Sequence, residues 1–260
     1  MKKFLTMERK KMSSNIVLKA SELNKSFSGI VAAKDINVSI NQGEIIGIIG
    51  ANGAGKTVFV NMITGYLKPT SGKIEFMGSD ITGIEPRKAT HIGLCRSFQI
   101  SQVFMTMTVK QNLMIAMSLS KKSGKTLLDP IEDEYISKEC DTILKLYKIL
   151  DQKDKIVSTL SQGIRKLLDI AMAVVGNPKV ILLDEPTSGV SVEEKFGIMD
   201  IVIAALKQTE TSVLFVEHDM EIVERYVDRV IAFYQGEIIC DAPPKKALSD
   251  KKVIEYVLGH

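Results

Sequence analysis

Tryptophan is absent, and cysteine occurs three times in 260 residues, at Cys95, Cys140 and Cys240. An odd number, widely spaced and without a C-x-x-C pair, excludes a disulfide scaffold and fits reduced thiols. Long apolar runs are also missing. The best candidates are broken by Gly43, Gly176 or Asp200, short of the roughly 18 residues that a membrane helix needs. Charge imbalance is small: 34 basic against 31 acidic residues leave +3, too little to indicate a nucleic-acid partner. The basic stretch 1–14 has no continuous apolar segment or small-residue cleavage site. It is expected to be a mobile tail rather than a secretion signal. What these absences leave is a soluble, intracellular chain whose 45% hydrophobic content can bury one large core or two lobes.

The most specific stretch present is Gly50-Ala51-Asn52-Gly53-Ala54-Gly55-Lys56-Thr57. It follows the apolar run Ile45–Ile49 and precedes Val58-Phe59-Val60, so strand, glycine-rich loop and helix succeed one another with the spacing G-x4-G-K-T. Such a loop curls so that successive N–H groups point into one concavity, and the following helix adds its positive end. A nucleoside triphosphate is therefore expected on Gly50, Asn52, Gly53, Ala54, Gly55, Lys56, Thr57 and Val58. Lys56 would reach the β- and γ-phosphates, and the Thr57 hydroxyl would be a ligand for Mg²⁺.

Read in order, the first third is strand-rich, with strands at 16–18, 36–40, 44–49 and 73–76, and turns at 25–29 and 68–72. From Met107 to about Val175 the pattern is helical, with helices at 109–117, 132–150 and 160–175. The last third alternates strand and helix again, at 180–183, 192–207, 212–216 and 220–226, and ends in a hairpin over 229–241. Such βαβ alternation predicts a parallel sheet, with the helical middle as an insertion.

Two strand ends carry acids. Val180–Leu183 runs into Asp184-Glu185-Pro186, and Val213–Val216 into Glu217-His218-Asp219. Ligands of open parallel sheets bind beyond the carboxyl ends of the strands, so these groups should face the phosphates. Asp184 would hold Mg²⁺ directly or through water, and Glu185 would polarise the attacking water as general base. Taken alone, His218 reads as a structural or surface histidine. At a strand end beside two acids it is expected to contact the γ-phosphate. His91 and His260 have no such setting.

The order of Gly50–Thr57, Ser97-Phe98-Gln99, Leu160-Ser161-Gln162-Gly163, Leu182-Leu183-Asp184-Glu185-Pro186 and Glu217-His218-Asp219 resembles the ATP-binding cassette (ABC) ATPases. The finer likeness, through Arg96–Gln99, Val103-Phe104, Met107–Val109 and the ending Val253–Gly259, is to the importers of branched-chain amino acids, urea and short amides. The resemblance implies an α/β fold: a P-loop NTPase parallel-sheet core, an N-terminal antiparallel β subdomain and an inserted all-helical subdomain over about 98–175, within a nucleotide-binding domain over 15–260. It implies ATP and Mg²⁺ as cofactors, with Phe27 stacking on adenine and Gln99 touching Mg²⁺ and the water. The lesser alternative for Phe27 is a half-buried loop aromatic, and Phe104, Met105 and Met107 read equally as lobe core or as a surface for a membrane subunit.

Cassettes of this family pair head to tail, so Ser161, Gln162 and Gly163 are expected to complete the ATP site of a second cassette subunit. That partner is expected to be a different chain, an identical one being the alternative, with separate transmembrane permease subunits beyond it at the cytoplasmic face of the membrane. Gln162 stands where glycine is usual, Ile164 where glutamine is usual and Ser191 where aspartate is usual. The site built on Lys56 is therefore expected to hydrolyse well, and the one completed by Ser161 to be weaker. An exporter cassette, a soluble ABC ATPase of the ribosomal or DNA-repair kind and a general P-loop kinase are the competing readings. One cassette without sustained heptads disfavours the second, and the signature stretch the third.

Overall fold

The computed structural model describes residues 15–97, 103–121 and 134–259. The basic tail and Gln99 lie outside the described residues. Among those described, the strands form two sheets. In the first, β1 (Ile16–Phe27) and β2 (Ile30–Asn41) are the arms of a long antiparallel hairpin. β4 (Ser71–Phe76) and β5 (Ser79–Asp80) extend it in the order β2-β1-β4-β5. Alternation drives it: Leu18 and Ala20 face inward on β1, as do Ile36, Val38 and Ile40 on β2, the two-residue period of a half-buried strand. Two expectations need correction here. Phe27 closes a 12-residue strand rather than sitting in a loop, and Ser71-Gly72 belongs to β4 rather than to the preceding turn. Polar residues hid both, because cross-strand pairing, of β1 with β2 and of β4 with β1, holds these segments in place.

The second sheet has the order β10-β9-β3-β8-β7-β6. Its members are β3 (Ile45–Ile49), β6 (Leu94–Ser97), β7 (Val180–Asp184), β8 (Ser212–Val216), β9 (Arg229–Tyr234) and β10 (Glu237–Ala242). β10 is an antiparallel edge and the other pairings are parallel. The central strands β3, β7, β8 and β9 are covered on both faces, which is why they read as apolar runs. Ile45, Ile49, Ile181, Leu183, Val213 and Phe215 enter the core on one side. Ile46, Ile48, Val180, Leu182, Leu214 and Val216 enter a second core under the antiparallel sheet.

α1 (Lys56–Ile63) leads off from β3, and α2 (Pro86–His91) precedes β6. The helical insertion packs α3 (Val109–Lys121), α4 (Glu134–Leu146) and α5 (Gln162–Val174) around Leu113, Met117, Cys140, Leu144 and Leu167. The helix expected to run to Leu150 stops at Leu146, because Lys148 turns left-handed at φ 56° and closes the end as a C-cap. α6 (Val192–Gln208) follows β7, and α7 (Met220–Tyr226) follows β8.

Candidate active site

Parallel pairing brings the carboxyl ends of β3, β7 and β8 to one edge. Ile48 pairs with Val216, and Val216 with Asp184. Beyond them lies a cavity of about 760 Å³. Its walls include Asn52, Gly53, Ala54, Gly55, Lys56, Thr57 and Val58 from the loop and α1, with Asp184, Glu185 and His218 from the strand ends. The residues expected to handle phosphate and metal therefore share one space. Gly50 stands behind the wall. Its φ is 151°, and a β-carbon there would lie 2.5 Å from the Phe233 carbonyl oxygen, so only glycine fits.

α1 begins at Lys56 with no side chain capping it, leaving its first N–H groups to face the cavity as anion donors. The Lys56 ammonium folds back onto the loop, donating to the carbonyls of Gly50 and of Ala51, the latter at 3.0 Å. Burial lowers its pKa, while Glu185 and Asp184 oppose that shift. Asp184 accepts from Arg96 at 2.7 Å, and Arg96 also donates to Asn61 at 2.6 Å. Glu185 lies 3.4 Å from His218 Nε2. It is held at φ 46°, a left-handed conformation unusual for glutamate, while its N–H donates to Val216 O at 2.9 Å. Such a strained backbone at a cavity wall is a mark of functional positions.

Sequence reasoning gave Arg96 and Glu217 no role. Glu217 is 3% exposed and accepts from the Thr187 hydroxyl at 2.9 Å, the Thr187 N–H at 3.3 Å and the His218 N–H at 3.2 Å. It thereby fixes the segments on either side of Glu185 and His218. Its burial pushes its pKa up, against these hydrogen bonds. The signal available in the sequence is its place in the strand-end triplet Glu217-His218-Asp219.

Other expected residues lie apart. Phe27 is exposed at the tip of the β1–β2 hairpin, and Ala32 rather than Phe27 contributes to the cavity wall. Ser161 caps α5, accepting from Ile164 N–H at 3.5 Å. Gly163 lies against α6, where an added β-carbon would meet Ile198 Cδ1 at 2.7 Å. Gln162 reaches back over its own chain, its Nε2 only 2.0 Å from where a β-carbon of Gly189 would be. Phe104, Met105 and Met107 are exposed, which removes the core alternative for them.

Comparison with known proteins decides the family. The family model described as ABC transporter matches residues 33–188. The chain belongs to the ABC transporter ATPase family. It is 34% identical over 254 residues to the probable branched-chain amino acid transport ATP-binding protein LivG of Methanocaldococcus jannaschii, covering 94% of this chain and 97% of that one. It is 30% identical to the high-affinity LivG of Escherichia coli, covering 95% and 99%. Among solved structures, the ADP conformation of MJ1267, an ATP-binding cassette of an ABC transporter, superposes with a TM-score of 0.84 at 33% identity, covering 94% of this chain and 99% of that one. The fold and the ATPase assignment expected from the motifs hold.

As a cassette, the chain is an ATPase that uses ATP with Mg²⁺. The residues present suit the ion. Thr57 offers a hydroxyl and Asp184 a carboxylate to one cavity. No cluster of three or more His, Cys, Asp or Glu able to hold a metal occurs among the described residues. Mg²⁺ is commonly bound by one or two protein oxygens, with substrate phosphates and water completing its octahedron. When bound, it supplies charge neutralisation on the phosphate oxygens. No helix among the described residues is long and apolar enough to cross a membrane. Cassettes of this family act as dimers with membrane permease subunits.

Proposed function

We propose that this cassette, at the cytoplasmic face of the membrane, powers uptake of a small solute of the branched-chain amino-acid type through separate permease subunits. The observation that carries this reading is the likeness to LivG proteins along 94% of the chain. Within the cavity, Lys56 and the N–H groups of the loop hold the phosphates, and Thr57 and Asp184 hold the ion, with Gln99 completing its surroundings. Glu185 takes the proton of the attacking water, and His218, 3.4 Å away, contacts the γ-phosphate. Phe27 supplies a flat face for adenine from the hairpin tip. The domain spans 15–260, with the helical subdomain at about 98–175. Exposed Phe104, Met105 and Met107 form part of the surface offered to a permease. Ser161, Gln162 and Gly163 meet the nucleotide of a second, non-identical cassette, and that site turns over more slowly.

The test is uptake into proteoliposomes carrying the permease subunits and both cassettes. ATP-driven accumulation of labelled leucine but not urea supports the reading, and urea alone moves the solute assignment to the amide branch. Glu185→Gln here and the matching change in the partner cassette should reduce turnover unequally. Equal losses would refute the asymmetry.

A further inference from the structure

Two charged residues are buried on the inner face of α5. Lys166 is 2% exposed and Asp169, one turn further on, is 6% exposed. Their neighbours Leu167, Leu168, Ile170 and Ala171 are apolar and buried, so the pair interrupts a packed face. An ammonium costs several kcal/mol to bury unless acids surround it. Here they do: Asp169, Asp184, Glu217 and Glu185 all act on Lys166 to keep its charge, against the desolvation that lowers its pKa.

Topology explains the convergence. Asp169 Oδ2 accepts from the Ser97 hydroxyl at 3.2 Å. Ser97 ends β6 and pairs with Leu183, the residue before Asp184. Asp169 is thus anchored under the strand ends, and Lys166 lies about 4.5 Å nearer the N-terminus of α5. At the neighbouring strand ends, Glu217 accepts from Thr187 and the His218 N–H, and Glu185 lies 3.4 Å from His218. Three acids at adjoining strand ends repel one another, and a fixed buried cation beneath them offsets that repulsion.

We infer that Lys166 is a positioning residue for hydrolysis: from α5 it holds Glu185 and Glu217 in register behind the attacking water. The inference rests on the proposed catalytic role of Glu185. It gives the helix that opens with Ser161 a second task within its own chain.

The competing account is structural, in which Lys166 only neutralises Asp169. Removing both charges separates the two, because a buried pair replaced by neutral groups of similar size often leaves stability unharmed. In the full chain, assembled with its partner cassette where turnover requires it, Lys166→Met/Asp169→Asn should keep ATP affinity within about twofold. Its kcat should fall about tenfold to a hundredfold, the cost of misplacing a reacting group by about 1 Å. Lys166→Arg should recover part of that loss. Wild-type kcat in the double variant would overturn the inference. If the double variant does not fold, Lys166→Gln decides: kcat lost with KM kept supports the inference, and an unchanged kcat overturns it. Glu185→Gln run alongside distinguishes the two levels. Turnover surviving that change removes the catalytic reading of Glu185, whereas turnover lost there but intact in Lys166→Gln refutes only the role of Lys166.

Discussion

Gly50→Ala tests whether the phosphate loop is set by close backbone approach or by conformational freedom alone. A β-carbon at Gly50 would lie 2.5 Å from the Phe233 carbonyl oxygen and 3.1 Å from Ala54 Cβ. Phe233 is in β9, which pairs with β3 through Ile49 and Ala232, so the obstacle is sheet backbone and cannot rotate away. Reaching an ordinary 3.4 Å requires the loop to move about 0.9 Å from β9. Overpacking of this kind costs about 1–3 kcal/mol, and a glycine-only conformation, here φ 151°, adds about 1–3 kcal/mol. Together they lower the melting midpoint by roughly 5–20 °C in a chain of this size. The same shift drags the carbonyl that Lys56 grips, so ATP affinity falls about tenfold or more, the equivalent of one charged hydrogen bond.

Gly53→Ala is the matched control. Gly53 has φ 79° with nothing within 4 Å of an added β-carbon, so it bears only the left-handed cost of about 1–2 kcal/mol. Thermal denaturation and ATP titration calorimetry on the two variants read the difference. Equal melting midpoints and equal affinities for the two would refute the close-approach argument.

Gly189→Ala places a β-carbon on the mobile amide of Gln162 at φ 75°. It should cost only the conformational term of about 1–2 kcal/mol, and adding Gln162→Gly should change that cost by less than about 0.5 kcal/mol in a urea double-mutant cycle; a larger coupling would mean that the amide is rigidly held. Asp219 caps α7, accepting from Glu221 and Ile222 N–H, and pairs with Lys195 at 2.6 Å. Burial raises its pKa but these bonds outweigh it, so the value is lowered from 3.8. Its stabilisation is present above the unfolded value and lost as pH falls through the native one. Asp219→Asn keeps the cap, since an amide oxygen accepts the same N–H bonds, but loses the charged pairing with Lys195; it should therefore destabilise by about 0.5–1 kcal/mol at neutral pH, with the gap to wild type closing in acid. Burial pushes the Cys95 thiol up to about 11 and Cys140 is buried. A thiol reagent should modify half-buried Cys240 first and reach the other two only on unfolding; fast labelling of Cys95 in the native chain would contradict its placement.

The phosphate loop was legible because glycine spacing states backbone geometry directly: φ 151° at Gly50 and 106° at Gly55 are conformations that few other residues tolerate. Strand ends were legible for a related reason, since runs such as Val180–Leu183, buried on both faces, have little choice but a covered parallel sheet. β1 was underread, because Asn24, Lys25 and Ser26 are held by cross-strand pairing, which no local propensity encodes. The site divided along the same line. Residues expected to meet ligand announce themselves by chemistry at fixed spacing, as Lys56, Asp184 and His218 did. Those that meet other protein groups do not. Arg96 bridges Asn61 and Asp184 across separations of 35 and 88 residues. Glu217 reaches Thr187 from 30 residues away. Lys166 reads as one more helical lysine until α5 is seen to bury it. A charge on a helix is solvated unless tertiary packing removes the water, and what then matters is which acids the topology has carried to the same place.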